Sequence, residues 1–386
     1  MAQPKCLGVK RMISRKEVER IANGYDKTKI SIATIGSHSA LDISSGAKRE
    51  GFKSIVICER GREETYARYY KVRGEKGCVD EVILLNKFKD VLKPEVIGKL
   101  QELNAVFIPH RSFEVYVGYD GIENEFRLPI FGNRALLRAE ERTAKPNQYD
   151  LLRKAGIRTP KIYEKPEDID RLVLVKAPEA KRNYERAFFL ASSFEEYKRK
   201  AEEMVKKGIS TEEGIRSAVI EEYVLGAHYN FNYFYSPLNK EIELLGTDTR
   251  RQTNLDGLLR LTAPEQSEIL KHARMKQIEV GHIACTLRES LLEKVYRIGE
   301  AFVKAALKEY PPGIIGPFAL QGAIVPEENG EEPVIFDVSL RVPGSPGTRF
   351  TPYTEYLFGE PISVGRRIAI EIKHAFEEDR VGEIIT

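Results

Sequence analysis

Between Lys29 and Asn133 the apolar residues keep changing period, and that alternation restricts the fold more than any other feature of the chain. "KISIATIGS" (29–37), "SIVICER" (54–60), "EVILL" (81–85) and "LNAVFIPH" (103–110) are short apolar runs of the kind strands require. "SALDISSGAKREGF", with its stop at Gly51, and "PEVIGKLQEL" carry helical spacing between them, and "LPIFGN" (128–133) closes the series as a further strand. Strands alternating with helices predict a parallel, doubly wound α/β sheet. Ligands on such sheets sit beyond the carboxyl ends of the strands, which here are "GSHSA" (36–40) and "PHRSF" (109–113).

The pattern breaks at "RTAKPNQYDLLRKAGIRTPKIYEKPEDI" (142–169), where a helix holding Tyr149, Leu151 and Leu152 stops at Gly156. Next come two apolar runs, Val173–Val175 and Ala187–Ala191, a charged helix (193–208) and a strand "SAVIEEYVLG" (217–226). From 227 onward alternating strands dominate: "HYNFNYFYS", "KEIELLGTDTR", "PFALQGAIV" and "EPVIFDVSLRV", with helices at 286–309 and 361–378 packed on them. The expected organisation is an open α/β domain (1–140), a small α+β lid (141–225) and a larger antiparallel α+β domain (226–386).

Charge excludes some functions. Lys and Arg number 61 against 58 Asp and Glu, and the signs are interleaved, so no basic stripe points to nucleic acid. "MAQPKCLGVKRMISRKE" lacks the apolar stretch of a leader, and no run approaches membrane-spanning length. Cys6, Cys58, Cys78 and Cys285 lie far apart, which fits a reducing cytoplasm rather than a zinc site or disulfide framework. No phosphate-loop, dinucleotide, zinc-protease or Ser/His/Asp signature is evident.

Several pieces carry chemistry. In "FALQGAIVPEENGEEPVIFDVSLRV" (318–342), Val334, Phe336, Val338 and Leu340 alternate with Ile335, Asp337, Ser339 and Arg341, so one face is expected in the core and the other polar. "ENG" (328–330) suggests a three-residue loop with Gly330 in the left-handed region, a register that sets Gln321 opposite Asp337. An amide oxygen facing a carboxylate suits Mg²⁺, which keeps waters and takes further oxygens from phosphates. The same pattern also fits an edge hairpin with a solvated polar face. In "VIEEYVLGAHYNF" (219–231), Glu221 and Glu222 precede Tyr223 and Val224, whose backbone could pair with an adenine edge, although an ordinary strand with acidic edge residues reads the same way. "TIGSHSA" sets Gly36, Ser37 and His38 between a strand and a helix N-terminus, where backbone N–H groups suit a phosphate. "HRSF" and "RRQTNLDG" (250–257) add Arg111, Ser112, Arg250, Arg251 and Asn254, suited to a phosphorylated or amide-bearing substrate. Strand, Lys176, connection, strand is the layout of a nucleotide-phosphate lid, but the connection holds Pro178, Lys181, Arg182 and Arg186 and no glycine.

Taken in order, these pieces resemble the ATP-grasp superfamily and, more narrowly, the archaeal formate-dependent FAICAR synthetases of purine biosynthesis. The resemblance runs from about Lys16 onward, through "IATIGSHSAL", "GAKREGF", "IPHRSF", "FGNRALLR", "LLRKAGIRTPKIYEKPEDID", "IEEYVLG", "FYSPLNKEIELLG", "TNLDGLLR", "LRESLLEKV", "PPGIIGPFALQ" and "GRRIAIEIK". It implies an ATP-dependent ligase that joins formate to the 5-amino group of AICAR, through formyl phosphate, with Mg²⁺ (or Mn²⁺) and as a homo-oligomer. It also implies His38, Ser112 and Asn254 on the AICAR nucleotide and Gln321 and Asp337 on the metal. ATP falls to Lys176, Lys181, Arg182, Glu221, Glu222, Tyr223, Val224 and His228. The nucleophile belongs to the substrate, so no catalytic Ser, Cys or His is required. Five departures lie on the ATP and metal side: the glycine-free "APEAKRNYER" lid, Asp150 for a lysine, Asp337 for a glutamate, "PGSPGTRF" (343–350) for a Gly-Gly-Thr-Asn turn, and His228 for a ribose-binding acid. Two other readings stay open: a paralogue that binds such a nucleotide without ATP turnover, and a ligase of the same fold with another substrate pair.

Overall fold

Strand β1 (Ser31–Ile35) is buried at every residue, because β2 (Lys53–Glu59) flanks it on one side and β4 (Ala105–Phe107) on the other, both parallel. With β3 (Glu81–Leu85) outside β2, the sheet order is β3-β2-β1-β4. A central parallel strand covered on both faces has no solvated side: Ile32, Ala33 and Ile35 are apolar, and the buried hydroxyls of Ser31 and Thr34 donate to the Leu103 and Ile108 carbonyls (2.7 and 2.9 Å). The computed structural model describes residues 12–141, 144–177, 187–275, 278–328 and 330–386.

"LPIFGN" is not a strand. Ile130 and Phe131 form only isolated bridges, to Phe107 and Ile385. The chain turns away at Gly132 (φ +117°), and Asn133 caps the next helix by accepting from the Ala135 and Leu136 amides.

A second sheet holds β5 (Ile162–Tyr163), β6 (Val173–Ala177), β7 (Ala187–Ala191) and β8 (Val219–Glu222), antiparallel in the order β5-β8-β6-β7. Strand β8 ends at Glu222, short of the expected 226, because its partner β6 begins opposite that residue. The helix before this sheet, Gln148–Lys154, starts with a capping box in which the Asp150 carboxylate accepts the Asn147 amide at 3.0 Å.

The third sheet holds β9 (Ala227–Ser236), β10 (Glu241–Gln252), β11 (Glu279–Ala284), β12 (Gly316–Glu327) and β13 (Gly330–Ser339), all antiparallel in the order β11-β10-β9-β12-β13. Strand β11 and the helices Thr253–Leu258 and Ala263–His272 were not foreseen: "EVGHIA" is an edge strand without clean alternation, and the helices bury no residue. Gln321 does stand opposite Asp337, but by another route than the loop suggested. Glu327 pairs with Gly330, so the loop is a residue shorter than expected, and Gly330 opens β13 at φ +110°. A bulge restores the register: Gly322 pairs with Ile335, Gln321 with Asp337, and Phe336 is the extra residue. The bulge also switches faces. Ile335 joins Val338 and Leu340 in the main core, while Val334 and Phe336 pack with Ala323 and Val325 on the other side, which corrects the uniform alternation expected from sequence.

Residues far apart in sequence close the molecule. The helix Val364–Glu377 lies against the helix Ala40–Arg49, and no side chain fits between them: a Cβ on Gly46 would sit 2.3 Å from the Arg366 nitrogen, and one on Gly365 2.2 Å from the Asp42 carbonyl oxygen. Arg367 on the same helix reaches β10, where its buried guanidinium donates to both Glu243 oxygens (2.7 and 2.8 Å) and to Glu371 (2.9 Å). Residues 384–386 then return to the first sheet: the Ile130 and Thr386 backbones exchange two hydrogen bonds, and buried Arg134 donates to the carbonyls of Ile122, Phe126, Leu128 and Thr386.

Candidate active site

The carboxyl ends of β1 and β4 bring two predicted residues together. Ser112 donates from Oγ to Ser37 Oγ at 2.8 Å. Beneath them His110 is fully enclosed. Its Nε2 donates to the Ile35 carbonyl (2.8 Å), which leaves Nδ1 to accept the Ser112 amide (3.3 Å) and cap the helix Arg111–Val117. Burial lowers its pKa to about 4, so this imidazole is neutral and works as scaffold. His38 differs. It is solvent-accessible, its ring forms no hydrogen bond among the described residues, and it rests on Gly344, where a Cβ would lie 1.7 Å from ring Cε1. Ser39 fastens the same junction by donating to the Pro343 carbonyl at 3.2 Å. Desolvation lowers the His38 pKa; Glu279 opposes that, and Arg341, His282 and Arg250 add to it.

Behind Ser112 lies a charge cluster whose two carboxylates, Glu114 and Glu140, are buried while Arg111 reaches solvent. Arg111 reaches Glu114 (3.1 Å) and Glu140 (3.5 Å), Arg341 reaches Glu140 (3.2 Å), and Glu140 also accepts the Leu340 amide at 2.6 Å. Burial, then the neighbouring Glu140 charge, pushes the Glu114 carboxyl up to about 8. Burial raises Glu140 as well, against Arg341, the Leu340 amide and Arg111. The cluster ties the helix that carries Ser112 to the chain just beyond β13, and so to Asp337.

The third sheet contributes a buried polar row. Asp248, fully inaccessible, accepts from Asn230 (3.0 Å), Asn232 (2.7 Å), Ser345 (3.1 Å) and His282 Nδ1. The other His282 nitrogen meets Glu279 Oε1 at 2.7 Å. Burial opposes a charge on His282, but the hydrogen bonds to Asp248 and Glu279 outweigh it and push its pKa up to about 9. Glu279 Oε2 lies 3.0 Å from Arg250 Nε, and Arg250 in turn donates to Gln321 Oε1. Gln321 Nε2 donates to Ser339 at 3.0 Å.

Gln321 and Asp337 offer two facing oxygen donors, the chemistry of Mg²⁺ or Mn²⁺. Asp337 has no hydrogen bond or ion pair among the described residues, so its oxygens are open, whereas Gln321 must release Arg250 to use its own. No group of three or more His, Cys, Asp or Glu among the described residues could hold a metal unaided. The pair therefore suits a hydrated ion that completes its sphere with phosphate oxygens.

The residues expected at ATP divide. Lys176 forms an ion pair with Glu221 in which both side chains are nearly buried, so Glu221 holds the lysine. Glu222 accepts the Lys161 amide at 3.2 Å and lies 3.6 Å from Arg171, both contacts of the sheet's own edge. The Tyr223 N–H is given to the Leu172 carbonyl at 3.0 Å, and the Val224 N–H has no backbone partner among the described residues. His228 pairs in register with Ala323 and packs 5.6 Å from the Phe336 ring. Lys181 and Arg182 lie outside the described residues. Asn254 is exposed and donates to the Arg274 carbonyl (2.9 Å), with no hydrogen bond to His38 or Ser112.

Sequence reasoning missed Asp248, His282, Glu279, Asn230, Asn232, Glu114 and Glu140. One signal existed: Asn230 and Asn232 alternate with Phe231 and Tyr233 in the aromatic middle of their strand, so two amides had to be buried with partners.

Two family models match, a protein of unknown function (DUF1246) over residues 32–163 and a domain of unknown function (DUF1297) over 196–386. The chain is 44% identical over 377 residues to the 5-formaminoimidazole-4-carboxamide-1-(beta)-D-ribofuranosyl 5'-monophosphate synthetase of Methanocaldococcus jannaschii, covering 97% of this chain and 100% of the relative. It is 42% identical to the protein of that name in Methanopyrus kandleri, with the same coverage. Among solved structures, the IMP biosynthesis protein PurP of Thermococcus kodakaraensis superposes with a TM-score of 0.68 at 30% identity, covering 92% of this chain and 100% of that one. The phosphoribosylglycinamide synthetase of Anaerococcus prevotii, at 14% identity and a TM-score of 0.55 over 89% of this chain and 75% of its own, speaks for the ATP-grasp fold alone.

Proposed function

This chain belongs to the family of archaeal FAICAR synthetases, and from that premise we propose that it is an ATP-dependent C–N ligase, converting AICAR and formate to FAICAR in the cytoplasm. The observation that carries the reading is the junction at His38: the ends of β1 and β4, with Ser37 and Ser112, close directly on the 343–345 turn, and that turn leads through Asp248, His282, Glu279 and Arg250 to Gln321. A nucleotide seated on the first sheet would thereby meet the oxygen pair Gln321 and Asp337.

Formate is a poor electrophile, and phosphorylation by ATP supplies a leaving group. His38 and Ser112 hold the nucleotide by hydrogen bonds, with Asn254 reaching it only if it leaves the Arg274 carbonyl. Lys176, steadied by Glu221, faces the phosphates, and the open Val224 amide takes the adenine edge. Gln321 and Asp337 would hold Mg²⁺ or Mn²⁺, which offsets charge on the phosphoryl group when bound.

One sequence observation favours a second reading, nucleotide binding without ATP turnover: the connection after Lys176 has no glycine through Arg186. Incubation with ATP, AICAR, formate and Mg²⁺, assayed for ADP and formylated nucleotide, separates the two. The ligase forms both. Tight AICAR binding with no ATP binding at millimolar concentration in calorimetry overturns it in favour of the second.

A further inference from the structure

In the proposed reaction the amine nitrogen attacks the formyl carbon. The C–N bond forms, the C–O bond to phosphate breaks, phosphate leaves with the electron pair, and the nitrogen must shed one proton. An acceptor with a free lone pair has to stand at the amine. We propose that His38 is that acceptor and that Gly344 is the seat that aims its ring.

The inference rests on the ligase reading, and the chemistry of the cleft narrows the choice. His110 and His282 each have both nitrogens committed to protein atoms. Glu279 is engaged on one oxygen by His282 and on the other by Arg250. His38 has an accessible ring without a hydrogen-bond partner among the described residues, at the strand end where the nucleotide is expected. Desolvation, then the charges of Arg341, His282 and Arg250 against that of Glu279, holds the imidazole below its ordinary pKa, so that the ring can take a proton. Once protonated, His38 has the Glu279 carboxylate near it to offset the new charge, and it returns the proton to the departing phosphate or to water.

Gly344 is separately informative. Its backbone is not in the left-handed region, so the absence of a side chain is not a conformational need there. What glycine provides is room: the nearest atoms to an added Cβ are Cε1, Nδ1 and Nε2 of His38, at 1.7, 2.5 and 2.7 Å. They are the far end of a side chain, so a methyl group would swing the ring aside and leave the backbone in place. Ser39 on Pro343 and Ser345 on Asp248 hold the seat from both sides.

The test uses the full chain with saturating ATP, formate, Mg²⁺ and AICAR, measuring ADP and formylated product separately. His38→Gln, which keeps a polar side chain of similar reach but loses the base, is expected to lower product kcat ~10²-fold while KM for AICAR moves a few-fold at most, so that ADP released per product rises. Gly344→Ala should reproduce that pattern with His38 intact, and added imidazole should restore part of the rate of His38→Ala. Product kcat within about twofold of the unmutated protein in His38→Gln would mean that the phosphate takes the proton directly and would overturn the assignment. A normal kcat in Gly344→Ala would overturn the seat. If the unmutated protein forms no formylated product at all, the ligase reading itself falls, and this inference with it.

Discussion

The pin between Asp248 and Glu279 can be tested through stability, apart from any activity. Substituting His282 by Gln removes the imidazolium and leaves Asp248 with Asn230, Asn232 and Ser345. A histidine whose pKa climbs from 6.5 to about 9 on folding binds its proton more tightly in the native state, which corresponds to roughly 3 kcal/mol. The His282 side chain is 11% exposed and Glu279 30%, so screening trims this to roughly 2–3 kcal/mol. Because the folded pKa is the higher one, the contribution is complete below the unfolded value of 6.5 and is lost as pH rises through about 9. Urea unfolding followed by far-UV circular dichroism suits a chain without tryptophan. Near pH 6 the variant should be less stable by those roughly 2–3 kcal/mol, and by about pH 10 most of the gap should close. A gap of equal size at both pH values would show that the histidine contributes shape rather than charge, and the reasoning would fail.

Three further outcomes follow. Arg367→Ala should cost about 3–5 kcal/mol in a denaturant titration, since Glu243 and Glu371 would be left buried without their cation. Lys176→Met alone should both abolish ATP binding and loosen the second sheet, because Glu221 loses its partner; Lys176→Met with Glu221→Leu should recover the melting temperature but not the calorimetric ATP signal. Asp337→Asn should raise the Mg²⁺ concentration needed for half-maximal turnover about tenfold or more, and an unchanged metal titration would remove Asp337 from the site.

The parallel sheet was legible because buried parallel strands are short, mainly apolar and rich in β-branched residues, and "SIATI" and "SIVICE" fit that description, with only small hydroxyls among their buried positions. Gln321 stands opposite Asp337 because two departures from the sequence pattern cancel, a loop one residue shorter than "ENG" suggests and a bulge at Phe336 that alternation does not reveal. The polar row at Asp248 was hidden for a different reason. Its members come from β9, β10, β11 and the 343–345 turn, and β11 is an exposed edge strand that lacks a clean period. Sidedness in a mixed-burial edge strand is set by its neighbour, so a single strand's pattern cannot announce it. The departures at Asp150, Gly344 and Ser345 likewise show their local meaning only in three dimensions, as a helix cap, a place for a ring and a partner for a carboxylate.

The return of residues 364–386 to the first sheet has a consequence for vectorial synthesis. Strands β1 to β4 leave the ribosome early, yet one flank of that sheet waits for the helix Val364–Glu377, and Arg134 waits for the Thr386 carbonyl. At ordinary elongation rates the interval between β4 and that helix is on the order of 10–50 s. During it the nascent domain shows the ribosome exit and its chaperones an apolar face including Ile43, Ala47 and Ile32, later sealed by Ile368, Ile372 and Ile385. A stalled or truncated translation product should therefore be a chaperone client even though all four strands of its first sheet have already been made.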